Sequence, residues 1–270
     1  LNTSSTINVE LLNNLSKDLL INTHPLNDFR RINEYLLSSY SKLKTGRFLI
    51  GSFIPLENMK KNLRSKMPHF LYFIILPFYF IFHRVFPKLA ITKQIYFILT
   101  NGKNRVISKA EVLGRLSFCG YELIDDTYYE DRIYFICKKK KTISNEKFPS
   151  YGPIVKLNRV GYLGELIYIY KLRTMYPYSE FIQGDIYEKN RLDASGKMKD
   201  DYRITSWGKI FRRYFIDEIP QIFNWIRGDL NLIGIRALSE HYFSLYPKSL
   251  QLKRVKFKPG LIPPYYADLP

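Results

Sequence analysis

The chain has 270 residues, room for one large or two small domains. Its 42 Lys and Arg against 24 Asp and Glu give a formal net charge of +18, and 16% of its residues are aromatic, a balance that points to an anionic partner: nucleic acid, an anionic membrane surface or phosphorylated substrates. The two cysteines, Cys119 and Cys137, fit no metal-ligand spacing and no disulfide framework, which indicates a reducing compartment. No signal-peptide pattern opens the chain, and it begins at Leu1 rather than Met, so it reads as a fragment.

Residues 1–57 read as an α/β segment. Leu19-Leu20-Ile21 is a candidate buried strand, and Phe29, Ile32, Leu36, Tyr40 and Leu43 lie at helical spacing behind Asn27 or Asp28 as cap. Gly46 is expected to end that helix, and residues 47–54 (RFLIGSFI) read as a strand. No Gly-rich phosphate loop occurs here, and His24 in THPLND reads as a turn residue.

Residues 58–93 change character. No acidic residue occurs between Glu57 and Glu111, and residues 70–82 (FLYFIILPFYFIF) form an uncharged apolar run of 13. Lys60, Lys61, Arg64 and Lys66 flank it on one side, and Arg84, Lys88 and Lys93 on the other. A spanning helix needs ~20 apolar residues, so this run is too short to cross comfortably. Pro77 should bend it, and basic residues on both sides keep both ends in the cytoplasm. The pattern favours a proline-bent helix that enters one leaflet and returns, with Phe70, Ile74, Pro77, Phe78 and Phe82 at the membrane. A buried core helix is the plain alternative, but it has no need of two basic collars.

Residues 95–99 read as a strand, Asn101-Gly102 as a turn, and Ser108-x-x-Glu111 as a capping box opening a helix that ends at Cys119-Gly120. Residues 121–124 and 132–137 are strand-like and form a plausible hairpin. This order is faintly similar to the last elements of class I methyltransferase-like folds, but the Gly-rich cofactor loop is absent and no methyl transfer is assigned. Segments 18–57 and 94–141 are expected to pair as one accessory α/β domain (1–57 with 94–145), the membrane helix (58–93) being inserted between them. Residues 138–141 begin a polar linker that ends near Pro149.

The catalytic part is expected at 146–270. Residues 154–157 and 166–170 are short strands around Gly161 and Gly164, and Lys171 and Arg173 follow on one side of an extended chain. Two cations on one face suit a diphosphate, although a solvated sheet edge would carry the same residues. Residues 176–198 read as a mobile loop or short amphipathic helix over the site. Trp207, Ile210, Phe211, Tyr214 and Phe215 have helical spacing, with Arg212 and Arg213 on the other side; that suits a helix on a membrane interface or one packed on a core. Pro220 suits the first turn of a helix and Gly228 the position past its end, so 220–227 reads as a short helix with Asp217 and Glu218 at its mouth. Acidic residues there are common caps. Among arginines, at a helix N-terminus that favours anions, they are also the parts for metal-assisted work on a phosphate ester.

The ordered set Lys171-Leu-Arg173-Thr-Met, Asp201-x-Arg203-Ile-Thr, Gly208, Arg212-Arg213, Asp217-Glu218-x-Pro220-Gln221, Asn224, Gly228-Asp229 and Gly234-x-Arg236 resembles the bacterial sugar transferases. These are monotopic phosphoglycosyl transferases that start glycan assembly on a polyprenol carrier. The resemblance covers roughly residues 150–262. It implies an α/β (α+β) protein: a small mixed catalytic domain, a re-entrant membrane helix and, here, an N-terminal accessory domain. It implies Asp217 as the nucleophile, Glu218 as a catalytic carboxylate holding Mg²⁺, and Lys171, Arg173, Arg203, Arg212 and Arg236 as phosphate-binding residues. The implied partners are a nucleotide-diphosphate sugar (usually a UDP-sugar), polyprenyl phosphate and an anionic membrane, with a homodimer as a candidate assembly and no nucleic acid. The implied location is the cytoplasmic face of a bacterial inner membrane. Gly234-Ile235-Arg236-Ala237 departs from the pattern, because the family usually has a proline on each side of this arginine; the loop presenting Arg236 is therefore expected to be looser. Two alternatives stand beside this reading: an inactive relative kept as a membrane-surface scaffold, and a basic single-strand nucleic-acid binder, for which no named motif occurs.

Overall fold

Alternating apolar residues build the first sheet. In the computed structural model, which describes residues 1–140, 142–143, 152–184, 186 and 201–264, α1 (Ile7–Glu10) is followed by β1 (Lys17–Pro25), α2 (Ile32–Lys42) and β2 (Leu43–Phe53). β1 and β2 pair in parallel, so α2 is a crossover helix. β3 (Tyr121–Tyr129) and β4 (Arg132–Lys139) form a hairpin, and β4 pairs antiparallel with β2, giving the order β1-β2-β4-β3. Segments 18–57 and 94–141 therefore contact one another through Phe48↔Lys138 to Phe53↔Ile133. The inward positions of β4, Ile133, Phe135 and Cys137, pack in one core with Leu20, Leu36, Leu49 and Phe53. Both cysteines are free and buried, and burial pushes the Cys119 thiol up to about 12.

Local expectations shift at three places. Neither Asn27 nor Asp28 caps α2; they lie in a 3₁₀ turn, where Asn27 Nδ2 donates to the carbonyls of Ile54 and Arg105. Gly46 does not end α2 but sits inside β2 with φ 78°, three residues beyond the start of the strand at Leu43. The carbonyls at the helix end are met instead by buried Lys139, whose Nζ donates to Tyr40 O (2.6 Å) and Leu43 O (2.7 Å).

Between β2 and the helix α6 (Lys109–Phe118) the chain makes a helical excursion whose ends meet at the Pro55↔Ile107 bridge. It comprises α3 (Leu56–Ser65), α4 (His69–Phe80) and α5 (Ala90–Thr100). Pro77 lies inside α4, removing a helical donor, and the helix widens into a π turn at Ile81–Val85 before a 3₁₀ turn. No residue of α4 is buried; Phe70 and Phe78 are each 70% exposed, so α4 is not a core helix. Phe82, by contrast, stacks within 5.3 Å of Tyr96. Residues 95–99 are helical in α5 rather than extended, with Ile91 83% exposed. As a helix the segment satisfies its own backbone. No described helix is long and apolar enough to cross a membrane.

Arg84 does not join the basic collar, because it is buried against a carboxylate. Ser108 accepts from the Glu111 amide as the capping box requires, but the Glu111 side chain turns inward and is fully buried between Arg84 and Arg115, 2.9 Å from each.

The chain divides into two compact units, Leu1–Pro149 with Tyr176–Arg203, and Ser150–Met175 with Ile204–Pro270. Residues 146–270 are thus not one compact piece. The described part of 176–198 is no loop over a site: Tyr176, Tyr178, Ile182 and Ile186 are buried in the first unit's core; residues 185 and 187–198 lie outside the described residues. Tyr178 packs on α6 at Gly114, where a Cβ would lie 2.1 Å from the Tyr178 carbonyl oxygen. Its hydroxyl accepts from Asn33 Nδ2 (2.6 Å), and the Arg115 guanidinium lies 4.4 Å from its ring centre.

The second unit is built on a hairpin of β5 (Ile154–Val160) and β6 (Leu166–Leu172), paired from Ile154↔Leu172 to Val160↔Leu166. α7 (Ser206–Arg213) starts at the Thr205 cap, and Gly208 lets it lie against Thr174, since a Cβ there would fall 2.2 Å from Thr174 O. α8 (Gln221–Ile226) follows Pro220 and ends at Gly228 with φ 79°. β7 (Asn231–Ile233) and β8 (Gly260–Ile262) pair in parallel, with α9 (Glu240–Ser244) and α10 (Lys248–Arg254) between them. Fully buried Asn224 ties α8 to β6: its Oδ1 accepts from Tyr170 N (3.1 Å), and its Nδ2 donates to Tyr168 O (2.6 Å) and Asp229 Oδ2 (3.0 Å).

Two stability predictions follow from these buried polar centres. Glu111→Ala strands two buried guanidinium groups and is expected to cost ~3–5 kcal/mol, read by circular dichroism during urea unfolding. Asn224→Ala leaves main-chain groups of β6 unpaired and is expected to cost ~2–3 kcal/mol, with Trp225 fluorescence in the adjacent turn of helix as the local reporter.

Candidate active site

The two carboxylates sit where a short turn is forced. Phe215 takes a left-handed conformation (φ 56°), uncommon for a bulky residue, and the chain then makes the 3₁₀ turn Ile216–Glu218 before entering α8. Asn224 fixes α8 on β6, which brings that turn to Lys171 near the end of β6. Lys171 Nζ lies 2.5 Å from Glu218 Oε1 and 3.9 Å from Asp217 Oδ2. One ammonium therefore serves two neighbouring carboxylates. Asp217 is 8% exposed, and Glu218 is half-buried.

Beside this cluster opens a cleft of about 340 Å³, lined among others by Arg159, Lys171, Glu218, Gln221, Arg236, Ser239 and Tyr242, a size suited to a small ligand. Its charged lining is three cations to one carboxylate, so it favours an anion. The loop that carries Arg236 is held without flanking prolines. Gly234 and Gly260 approach so closely that a Cβ on Gly260 would fall 2.0 Å from Gly234 N. The Gly260 amide donates to Ile235 O (2.9 Å), and Arg254 Nη2 to Arg236 O (2.7 Å). The looseness expected from Ile235 and Ala237 is offset by these backbone contacts.

The expected phosphate ligands are only partly gathered. Lys171 and Arg236 line the cleft with Glu218; Arg173 and Arg212 do not. Arg173 Nε donates to Gly152 O (2.8 Å), because β6 has ended one residue earlier and alternation no longer applies. Arg212 Nε donates to Thr174 Oγ1 (2.9 Å). Arg203 belongs to the other compact unit, where its Nε and Nη2 grip the two Asp201 carboxylate oxygens at 2.8 and 2.7 Å. Trp207, Ile210, Tyr214 and Phe215 are exposed rather than packed on a core, as are Phe223 and Ile226 of α8.

Arg159 is absent from the expected set. Only the β5–β6 register could have found it: Arg159 opposes Ile167 and Val155 opposes Lys171, which puts both basic residues on one face of the hairpin. Among the described residues no group of three or more His, Cys, Asp or Glu could hold a metal ion. Asp217 and Glu218 fit Mg²⁺ only as carboxylates that share the ion with substrate phosphates, a common arrangement for this cation.

Comparison with known proteins bears on this second unit. The family model described as bacterial sugar transferase matches residues 143–265. A galactosyl transferase, CpsE, of Streptococcus agalactiae is 39% identical over 112 residues, 41% of this chain and 25% of that protein. An uncharacterized sugar transferase, EpsL, of Bacillus subtilis is 35% identical over 38% of this chain and 45% of its own length. The undecaprenyl-phosphate galactose phosphotransferase of Salmonella typhimurium is 36% identical over 30% of this chain and 18% of that protein. The chain thus spans under half the length of these relatives. A solved methyltransferase from Thermotoga maritima aligns with 49% of this chain and 61% of its own at a TM-score of 0.31 and 14% identity, a likeness too low to assign a fold. With the ordered motifs and their cleft in the same stretch, residues 143–265 belong to the bacterial sugar transferase family.

Proposed function

We propose that the protein is a membrane-associated phosphoglycosyl transferase that moves a sugar-1-phosphate from a nucleotide-diphosphate sugar, a UDP-sugar in the first instance, to polyprenyl phosphate. The observation that carries this reading is the Asp217–Glu218 turn gripped by Lys171 at the edge of a cationic cleft, in a stretch whose relatives include an undecaprenyl-phosphate galactose phosphotransferase. An Asp217 carboxylate oxygen attacks the sugar-bearing phosphorus. The bond to the bridging oxygen breaks, and the nucleoside monophosphate leaves with that electron pair. Splitting the transfer into two displacements replaces one hard step by two easier ones. An oxygen of polyprenyl phosphate then attacks the phosphorus of the phosphosugar–aspartyl intermediate, releasing the carboxylate and forming the sugar diphosphate lipid. The Lys171 ammonium, beside both carboxylates, offsets their charge toward the approaching diphosphate. Mg²⁺, held by Glu218 with substrate oxygens, would neutralise the diphosphate and improve the leaving group.

The lipid acceptor calls for a site at a membrane surface. α4 presents Phe70, Phe73, Ile74 and Phe78 outward and α5 presents Ile91 and Ile98. An apolar insertion beside a helix that carries Lys60, Lys61 and Arg64, with Lys66 at its C-cap, suits the anionic cytoplasmic face of a bacterial inner membrane. The product is the first lipid-linked sugar of a polysaccharide or glycoconjugate.

Incubation with UDP-sugars, Mg²⁺ and polyprenyl phosphate is expected to release UMP, and Asp217→Asn to lower that release by about a thousandfold or more; full activity in the variant rules out Asp217 as nucleophile. In flotation with anionic vesicles the intact chain should rise with lipid. The triple change Phe70→Ser, Phe73→Ser, Phe78→Ser should stay at the bottom, since each ring gives up ~1.5–3 kcal/mol of burial. A triple variant that floats as well as the parent removes α4 as the anchor.

A further inference from the structure

Arg159 belongs to no motif of the resembled set and is set apart by its surroundings. It is half-buried in β5 and lines the same cleft as Lys171, Glu218 and Arg236. Among the described residues no carboxylate pairs with it; its Nη1 donates to the carbonyl of Asn158, its own neighbour (2.7 Å). The hairpin register places it opposite Ile167, four residues along β6 from Lys171, roughly 14 Å at ~3.4 Å per residue. Burial, and then the nearby Arg236 charge, pull its guanidinium below the usual arginine range. Two guanidinium groups lining one half-buried cleft favour an anion in it. Guanidinium groups are suited to phosphate, because their forked donors match its oxygens in pairs.

We propose that Arg159 is a substrate-binding residue that, with Arg236, grips the nucleoside-bearing phosphate of the donor, at the end of the cleft away from Lys171 and the Asp217–Glu218 turn. This rests on the transferase reading above. When the phosphorus–oxygen bond breaks, the electron pair stays on the departing phosphate, and Arg159 N–H groups meet the charge that develops there. The residue thus holds the leaving group while Lys171 attends the attacking end.

The test uses the full chain in detergent micelles, with UMP and inorganic pyrophosphate as calorimetric probes. Wild type is expected to bind both. Arg159→Gln should weaken both by about tenfold or more, the loss of a charge-assisted hydrogen bond, and raise the KM for the sugar nucleotide. Arg159→Lys keeps the charge but loses the fork and should fall between, which separates a lost contact from a misfolded hairpin. Unchanged affinity for UMP and pyrophosphate in Arg159→Gln, or a wild type that binds neither, overturns the assignment. If Arg159→Gln weakens UMP while no sugar nucleotide supports transfer, the phosphate site stands and the transferase reading falls. If Asp217→Asn abolishes transfer while Arg159→Gln changes neither affinity nor KM, the transferase reading stands and this one falls.

Discussion

The turn that carries Asp217 and Glu218 depends on a single ammonium group. Two adjacent carboxylates in an apolar turn repel one another unless a counter-charge lies beside them. Lys171 answers both, closely at Glu218 and more distantly at Asp217. The closer pairing is with Glu218 and leaves Asp217 the less encumbered of the two. Because Lys171 is near the end of a strand and the carboxylates are on a turn, the contact survives only if strand and turn are fixed to one another. That is the work of Asn224, whose side chain bridges β6 and α8 in place of a missing strand neighbour.

Close backbone approaches do the rest of the positioning. Gly208 admits α7 to Thr174, and Gly234 and Gly260 let two loop segments touch beneath Arg236. Glycine at such contacts is dictated by space rather than by flexibility. The stretch around Arg236, without flanking prolines, is held by hydrogen bonds from Gly260 and Arg254.

Much of this could be read from residue order, and what could not has physical causes. The short helix after Pro220, its end at Gly228 and the β5–β6 hairpin follow from local chemistry. The carboxylate pair and its lysine were legible because they sit in dense motifs. Arg159 was hidden because its relevance appears only when two strands are in register. Arg203 lies within a motif and packs with Asp201 in the other unit, a pairing that the motif alone does not reveal. Residues 95–99 have the composition of a strand but lie within the helix α5. The aromatic residues at 176–182 looked like loop decoration, since their acceptor surface on α6 is more than sixty residues away in sequence.

Tyr176, Tyr178 and Ile182 lie inside the family-matched stretch yet complete a core begun by the first half of the chain. The polypeptide therefore passes between the two compact units three times, after residues 149, 175 and 203. Recombination that moved the last portion onto a different leader would carry these three greasy side chains into a host lacking the α6 groove around Gly114. Such a chimera inherits an exposed sticky strap, so the two halves are constrained to evolve as a matched set.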